Sequence, residues 1–170
     1  MAHQVTFKGN PKNLVGTQLK AGDNAPEFEC LAGLDLVHLS DTPKTARMFS
    51  VVPSLDTPVC STQTKKFNDS LNDLKDKATA YTVSLDLPFA QTRFCGDAKI
   101  TNLKNLSDVH DGSFGKNYGV LLDGLPLRLL TRAIFVVDKN NKITYVEYVP
   151  EVTSEPNYDK ALAALKAASA

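Results

Sequence analysis

The chain has 170 residues, enough for one well-packed domain and too few for two ordinary ones. Its 19 basic and 19 acidic side chains balance, so no net positive charge is available to attract nucleic acid or an anionic membrane surface. The first residues lack a basic stretch followed by an apolar one, and no apolar run approaches membrane-spanning length. We therefore expect one cytoplasmic domain over residues 1–170, with small molecules or proteins as its partners.

The first half of the chain predicts a hairpin, a strand pair, and then a buried strand that leads into a helix. Two short strand-like runs flank a Gly-Asn-Pro turn signal, which predicts an accessory N-terminal hairpin within residues 1–17. Residues 28–39 indicate a second strand pair. The apolar run 46–52 ends at Pro53 and is typical of a buried strand. Apolar residues at helical spacing then predict a helix over about 58–75.

The second half predicts a strand, a short helix, a hairpin and a final helix. The apolar run 78–85 indicates a strand, and 113–118 a short helix. Residues 129–137 and 142–149 predict a hairpin whose first strand is apolar on both faces and belongs in mid-sheet. Helix formers throughout 158–168 predict a helix. This order is that of an α/β, thioredoxin-like fold, with a central mixed sheet flanked by helices.

Cys60 lies where the first predicted helix begins. Thr57 is a good N-cap residue and Pro58 suits the first helical position, which puts Cys60 in the first turn. Unpaired backbone N–H groups and the positive end of the helix dipole favour a thiolate there. The Thr57 hydroxyl, three positions earlier, has the spacing to donate to that sulfur. The alternative is that Cys60 is a small, buried apolar residue under the helix.

Three separate motifs resemble those of one enzyme family. Pro53, Thr57 and Cys60 match the Pro-x-x-x-Thr-x-x-Cys motif of the peroxiredoxins, after a strand and at the start of a helix. The segments 50–57 and 86–95, with the Gly-Asn-Pro hairpin, resemble the bacterial thiol peroxidases, an atypical two-cysteine peroxiredoxin subfamily. The resemblance spans nearly the whole chain. It implies a cysteine-based peroxidase that reduces hydrogen peroxide and organic hydroperoxides.

The resemblance also assigns roles to individual residues. Cys60 would be the peroxidatic cysteine, Thr57 would bind the peroxide, and Pro53 would shield the thiolate from solvent. Arg132 matches an arginine that the family contributes from a later strand, and a guanidinium is otherwise hard to justify in an apolar run. A fixed positive charge near Cys60 would stabilise the thiolate and orient the peroxide. The alternative for Arg132 is an exposed charge at the beginning of a strand.

Cys95 is the resolving cysteine by the same resemblance, forming an intramolecular disulfide with Cys60. Its position before Gly96 predicts a mobile segment. Because a disulfide requires Cα atoms roughly 5.5 to 6 Å apart, we expect the turn at Cys60 and the segment around Cys95 to rearrange on oxidation. Pro58 stands where many family members carry glycine, and its fixed φ would stiffen this turn. Without the resemblance, Cys95 is a loop cysteine that has no partner.

The remaining candidate residues point to packing and not to a metal. Period-two alternation places Cys30 on an inward face, so we expect it to be structural. The three histidines show no metal-ligand spacing with any cysteine, so neither a metal nor a cofactor is expected. Apolar residues near the site, Phe89 and Leu125, suggest alkyl or lipid hydroperoxides as substrates.

Partners follow from the resemblance alone, which implies thioredoxin as the reductant and a homodimer as the assembly. Two other functions stay open. A thiol–disulfide oxidoreductase is permitted by the fold, although the chain lacks a Cys-x-x-Cys motif. A redox sensor could instead signal through a Cys60–Cys95 disulfide to a partner protein.

Overall fold

A computed structural model of the chain describes residues 3–170 and contains two β-sheets. The large sheet has seven strands in the order β10-β9-β5-β6-β7-β3-β4, and the small one has three in the order β1-β2-β8. The strands are β1 (Gln4–Phe7), β2 (Asn10–Val15), β3 (Glu29–Ala32), β4 (Asp35–His38), β5 (Ala46–Val51), β6 (Ala78–Ser84), β7 (Leu103–Ser107), β8 (Leu121–Leu122), β9 (Ala133–Val137) and β10 (Ile143–Tyr148). The helices are α1 (Pro58–Ser70), α2 (Pro88–Ala98), α3 (Ser113–Asn117) and α4 (Tyr158–Ala168).

The middle of the large sheet is formed by β5, β6 and β9. All six residues of β5 and all five of β9 are buried, as expected for strands covered on both faces. β5 pairs in parallel with β6 and antiparallel with β9, so the sheet is mixed. Apolar clusters cover both faces, one built around Phe49 and Phe135 and the other around Met48 and Phe67. The predicted α/β architecture, a mixed sheet flanked by helices, is confirmed.

The N-terminal hairpin is confirmed, with a tighter turn than the Gly-Asn-Pro signal suggested. β1 and β2 pair antiparallel, and the turn residues are Lys8 and Gly9, with φ of 51° and 79°. Two successive positive φ values are typical of the type I′ turns that suit two-residue hairpin loops. The Thr6 N–H donates to the carbonyl of Pro150, which attaches the hairpin beside the end of β10.

Helix α1 ends at Ser70, earlier than the predicted 58–75. After Ser70 the chain continues as tight turns, in which the Leu74 N–H donates to Leu71 and the Lys77 N–H to Leu74. Leu71 and Leu74 remain buried in these turns, so the apolar spacing of a helix persists where the helix itself has ended. The strand predicted over 129–137 is likewise shorter, because residues 129–131 bond to residues 120–122 instead of continuing β9.

Three elements were missed, one of them the two-residue strand β8. β7 was not predicted, since it is short and has a Lys and an Asn within it. The segment 88–98, expected to be a mobile turn around Cys95, is helix α2, with Pro88 at its first position. The strand pair at 28–39, the short helix at Ser113 and the final helix at 158–168 are confirmed. In the part of the chain from residue 3 onward, no helix is long and apolar enough to cross a membrane.

Candidate active site

The start of α1 places Cys60 in the first helical turn. Thr57 is the N-cap residue, with extended φ and ψ of −102° and 150°, and Pro58 occupies the first turn. The Cys60 side chain is 0% exposed and packs with Val52 and Leu55. A thiolate at this position faces the unpaired N–H groups and the positive end of the helix dipole, both of which stabilise an anion.

Arg132 is the buried cation beside this sulfur. It lies directly before β9 and is 2% exposed. Its Nη2 donates to the Cys60 Sγ at 3.4 Å, its Nη1 to the Gln63 Oε1 at 2.8 Å, and its Nε to the Val152 carbonyl at 2.8 Å. Nowhere in residues 3–170 does Arg132 form an ion pair with a carboxylate. Its charge is therefore directed at the sulfur, and the reading of Arg132 as an exposed strand-end charge is wrong.

Gln63 positions this guanidinium, a role that the sequence did not suggest. Its side chain is fully buried one turn after Cys60, and its Nε2 donates to the Ser50 Oγ of β5 at 2.7 Å. The amide is thus held at one end by the sheet and accepts from Arg132 at the other. A polar amide at a core-facing helical position was the available signal, since such a group must find partners when it is buried.

Thr57 contacts a different partner from the one expected. Its hydroxyl donates to the Ser54 carbonyl at 2.9 Å and makes no hydrogen bond with the Cys60 sulfur. The Thr57 N–H donates to the same Ser54 carbonyl, which closes a tight turn. This turn holds the Thr57 hydroxyl close to Ser54 and so favours the hydrogen bond between them. The Thr57 side chain is exposed and lines a cavity, so a rotation about its Cα–Cβ bond would aim the hydroxyl at a ligand there.

The cavity adjoins the residues predicted for the site. It has a volume of about 460 Å³ and is bordered by Pro53, Thr57 and Arg132. Most of its wall is apolar, and those residues are Phe7, Pro58, Val59, Leu127, Leu129 and Val152. Phe89 and Leu125 do not border it. Phe89 is exposed at the beginning of α2, and Leu125 packs with the hairpin.

The loop before α1 is held by Asp86, which the sequence did not single out as a site residue. The Asp86 carboxylate accepts from the Ser54 hydroxyl at 2.7 Å, the Leu55 N–H at 2.8 Å and the Ser84 hydroxyl at 2.8 Å. Ser84 also accepts from the fully buried Gln91 of α2. One carboxylate therefore joins the loop that carries Pro53 and Thr57 to the end of β6 and the base of α2.

Cys95 lies in the last turn of α2 and is half-buried. Its sulfur contacts both atoms of the Asn105 amide, at 3.3 Å and 3.2 Å. Burial raises the pKa of Cys95, and the hydrogen bond with Asn105 opposes the shift. The neighbouring Phe94 packs against the cluster around Cys60, whereas Cys95 packs in the cluster beneath β5 and α1. None of the three cysteines is in a disulfide in this structure.

Cys30 is fully buried, as the strand alternation predicted, and lies away from Cys60 in the larger core cluster. Its sulfur contacts the Asp108 Oδ1 at 3.8 Å. Burial, followed by the nearby negative charge of Asp108, raises the pKa of the Cys30 thiol. Elsewhere Glu29, His110 and Asp111 bring ligand atoms within 4.8 Å of one another at the surface, without a cysteine.

Comparison with known proteins shows the family to which the chain is related. Residues 20–162 match the model of the family described as Redoxin. A thiol peroxidase from Halalkalibacterium halodurans is 52% identical over 96% of this chain and 98% of its own, and one from Bacillus subtilis is 47% identical over 96% and 97%. Among solved structures, a peroxiredoxin-like protein from Aquifex aeolicus is 43% identical, with a TM-score of 0.91 over 98% of each chain.

The matches to the two thiol peroxidases and to the Aquifex aeolicus protein extend over nearly the full length of this chain and of each relative. The chain belongs to the redoxin family, and it is a peroxiredoxin-type enzyme that groups with the bacterial thiol peroxidases.

Proposed function

We propose that the chain reduces hydrogen peroxide and organic hydroperoxides, with Cys60 as the peroxidatic cysteine. The observation that carries this proposal is the 3.4 Å contact between the Arg132 guanidinium and the Cys60 sulfur at the beginning of α1. A buried cation without a carboxylate partner stabilises a thiolate, and the thiolate is the nucleophilic form of cysteine. The adjoining cavity supplies an approach for the substrate.

The first step is attack by the Cys60 thiolate on the terminal oxygen of the hydroperoxide. The O–O bond breaks, an S–O bond forms, and the leaving oxygen departs as water or an alcohol after taking a proton. Cys60 is thereby oxidised to a sulfenic acid. Arg132 stabilises the charge on the oxygens, the Thr57 hydroxyl turns from Ser54 to hydrogen-bond the bound peroxide, and the buried Pro53 keeps water from the sulfur.

The second step is condensation of the Cys95 thiol with the sulfenic acid, which gives an intramolecular disulfide and releases one water. Because the two cysteines pack in different clusters, the first turn of α1 and the last turn of α2 open for their sulfurs to meet. Pro58 at the first position of α1 resists this opening through its fixed φ. The dithiol of thioredoxin then reduces the disulfide and is itself oxidised.

We further propose a homodimer, built from one domain over residues 1–170 with the hairpin at 1–17 as its accessory part. Leu87, Phe89 and Val109 are exposed apolar side chains that follow β6 and β7. These strands are parallel neighbours, so their carboxyl ends lie at one edge of the sheet and a second copy could cover this edge. A cytoplasmic location suits a cysteine pair that returns to the thiol form after each turnover.

Disulfide mapping tests the roles of both cysteines. One equivalent of hydrogen peroxide should convert the reduced protein to a form whose main cross-linked peptide joins Cys60 to Cys95, as seen by non-reducing mass spectrometry. Cys60→Ser should abolish peroxide consumption, because the nucleophile is lost. Cys95→Ser should still consume one equivalent but fail to turn over with thioredoxin.

Cys30→Ser is the matched control, since this thiol is buried away from the site. Full thioredoxin-driven turnover by Cys95→Ser would remove Cys95 from the mechanism. Rapid partner capture with no peroxide turnover would favour a sensor over an enzyme.

A further inference from the structure

The cavity beside the site has a single charged residue at its exposed rim. Lys8 is solvent-exposed and borders the cavity, whereas Arg132 lies at its buried end. These are its only charged lining residues within the described chain, and both are positive. Arg132 is occupied by Cys60, Gln63 and a carbonyl, so Lys8 is the cation available to a substrate's distal end.

The backbone of Lys8 is held in place by Glu151. The carboxylate of Glu151 accepts from the N–H groups of Lys8 at 3.3 Å and Gly9 at 2.8 Å. It also accepts from Thr153 and Thr6, and hydrogen bonds from Thr153, then Gly9, lower the pKa of Glu151 to about 2. These contacts fix the hairpin turn against residues 151–153, of which Val152 and Thr153 border the cavity.

The Lys8 ammonium, by contrast, forms no ion pair within residues 3–170. An exposed lysine is usually only a solvated charge. This one borders the same cavity as Phe7, Leu127, Leu129 and Val152, whose apolar side chains would accept a hydrocarbon chain. A ligand with an anionic head, an apolar chain and a reactive group beyond it matches the order of chemistry from rim to sulfur.

We propose that Lys8 is a specificity-determining residue that selects hydroperoxides bearing a carboxylate, such as fatty-acid hydroperoxides, over neutral ones of the same chain. The carboxylate pairs with the Lys8 ammonium, the chain lies on the apolar wall, and the hydroperoxide group reaches Arg132 and Cys60. This proposal rests on the peroxidase function proposed above and adds to it the residue that distinguishes acids from neutral substrates.

The test compares a fatty-acid hydroperoxide with its methyl ester, both below the concentration at which they aggregate. The readout is the ratio of kcat/KM for the acid to kcat/KM for the ester. Lys8→Gln should lower this ratio roughly two- to fivefold, the range expected for losing an ion pair at an exposed site. Raising the ionic strength should lower the ratio of the unmodified protein in the same direction, because salt screens such a pair.

Lys12→Gln is the matched control, since Lys12 lies on the same hairpin, carries the same charge and does not border the cavity. It should keep the ratio of the unmodified protein, and Lys8→Arg should keep it as well. An unchanged ratio in Lys8→Gln, with hydrogen peroxide still reduced, would overturn the role of Lys8 alone. A protein that reduces none of the three substrates would overturn the proposed function together with this one.

Discussion

Arg132 keeps its charge for the sulfur because its other partners are neutral. The Gln63 amide oxygen and the Val152 carbonyl fix the orientation of the guanidinium without cancelling its charge. A carboxylate in place of either group would hold the same geometry and neutralise the cation. The contact between Arg132 and Cys60 therefore depends on a buried amide as much as on the arginine itself.

Removing that amide should slow the reaction with peroxide. Gln63→Met keeps the approximate volume and removes the acceptor for the Arg132 Nη1, so the guanidinium loses one of its fixed positions. We expect the rate constant for sulfenic acid formation to fall about tenfold, which corresponds to about 1.4 kcal/mol, the scale of a hydrogen bond to a charged group. Stopped-flow consumption of one equivalent of peroxide measures this rate.

Gln91→Met is the control that shows what the loss of any buried glutamine amide does to the protein. Gln91 is also fully buried, and its amide bonds to Ser84 and to the Leu106 carbonyl but not to Arg132. It should lower thermal stability to a similar extent while leaving the peroxide step within about twofold of the original. If both variants slow that step equally, Gln63 acts through stability and not through the guanidinium.

The two ends of α2 differ in how firmly they are held. At its beginning, Gln91 is buried and joined to the network around Asp86. At its end, Gly96 is exposed, and the helix closes with Lys99 in a left-handed conformation at φ 55°. The last turn is held by the packing of Cys95 and Ala98 and by the Cys95–Asn105 contact, without a link to Asp86, so we expect the part of α2 that carries Cys95 to be the part that opens.

Hydrogen exchange should reveal this opening after oxidation. In the disulfide form we expect faster exchange at the last turn of α2, where the Ile100 N–H now donates to the Cys95 carbonyl, and at the first turn of α1, where Ser61 donates to Thr57. The amides of β5 and β9 should exchange as slowly as before. Mass spectrometry of peptides from the reduced and the peroxide-treated protein gives the comparison.

Cys95→Ser treated with peroxide separates oxidation from disulfide formation. It should show faster exchange in neither segment, because its sulfenic acid has no thiol with which to condense. Identical exchange profiles for the reduced and oxidised unmodified protein would contradict local opening.

Sequence predicts best what is determined locally. The mainly apolar strand β5 and the Thr57-Pro58 helix start each have a cause within a few residues, and the structure places both as expected. The position of Arg132 beside Cys60, 72 residues away in the sequence, was implied by the family resemblance and not by the local pattern. Gln63 and Asp86 escaped notice because their partners lie on other elements, on β5 and Arg132 for one and on the loop at Ser54 for the other. Such pairings depend on strand order, which the local pattern does not contain.

Across the whole molecule, one buried carboxylate links stability to pH. Asp108 is 1% exposed and accepts from the N–H groups of Phe114 and Gly115 at the beginning of α3. Burial raises the pKa of Asp108 to about 6, although these hydrogen bonds and the Cys30 contact oppose the shift and Asp111 adds to it. The folded state therefore holds a proton on Asp108 that the unfolded state releases nearer pH 4.

This difference predicts a loss of stability as pH rises. Between about pH 4 and pH 6 the folded state binds more protons than the unfolded one, so the free energy of unfolding contributed by Asp108 falls across that window and is constant above it. A shift of this size corresponds to about 3 kcal/mol. Urea unfolding at a series of pH values should show this decrease in the unmodified protein and a shallower one in Asp108→Asn.

Other carboxylates titrate in the same pH range. The quantity to compare is therefore the difference in free energy of unfolding between the unmodified protein and Asp108→Asn at each pH. Parallel stability curves for the two would mean that the Asp108 carboxyl is ionised in the folded protein throughout.

The lone guanidinium at Cys60 has a further consequence once the sulfur has reacted. A disulfide carries no charge, so the proposed oxidation of Cys60 would leave Arg132 enclosed by protein without a counter-ion, and an uncompensated cation is costly away from water. The free-energy cost of this unpaired cation falls if water enters the site, or if reduction by two electrons restores the Cys60 sulfur as its partner. In the proposed mechanism, the same charge that favours reaction of Cys60 with peroxide would also make the disulfide easier to reduce, which favours completion of the cycle over accumulation of the disulfide.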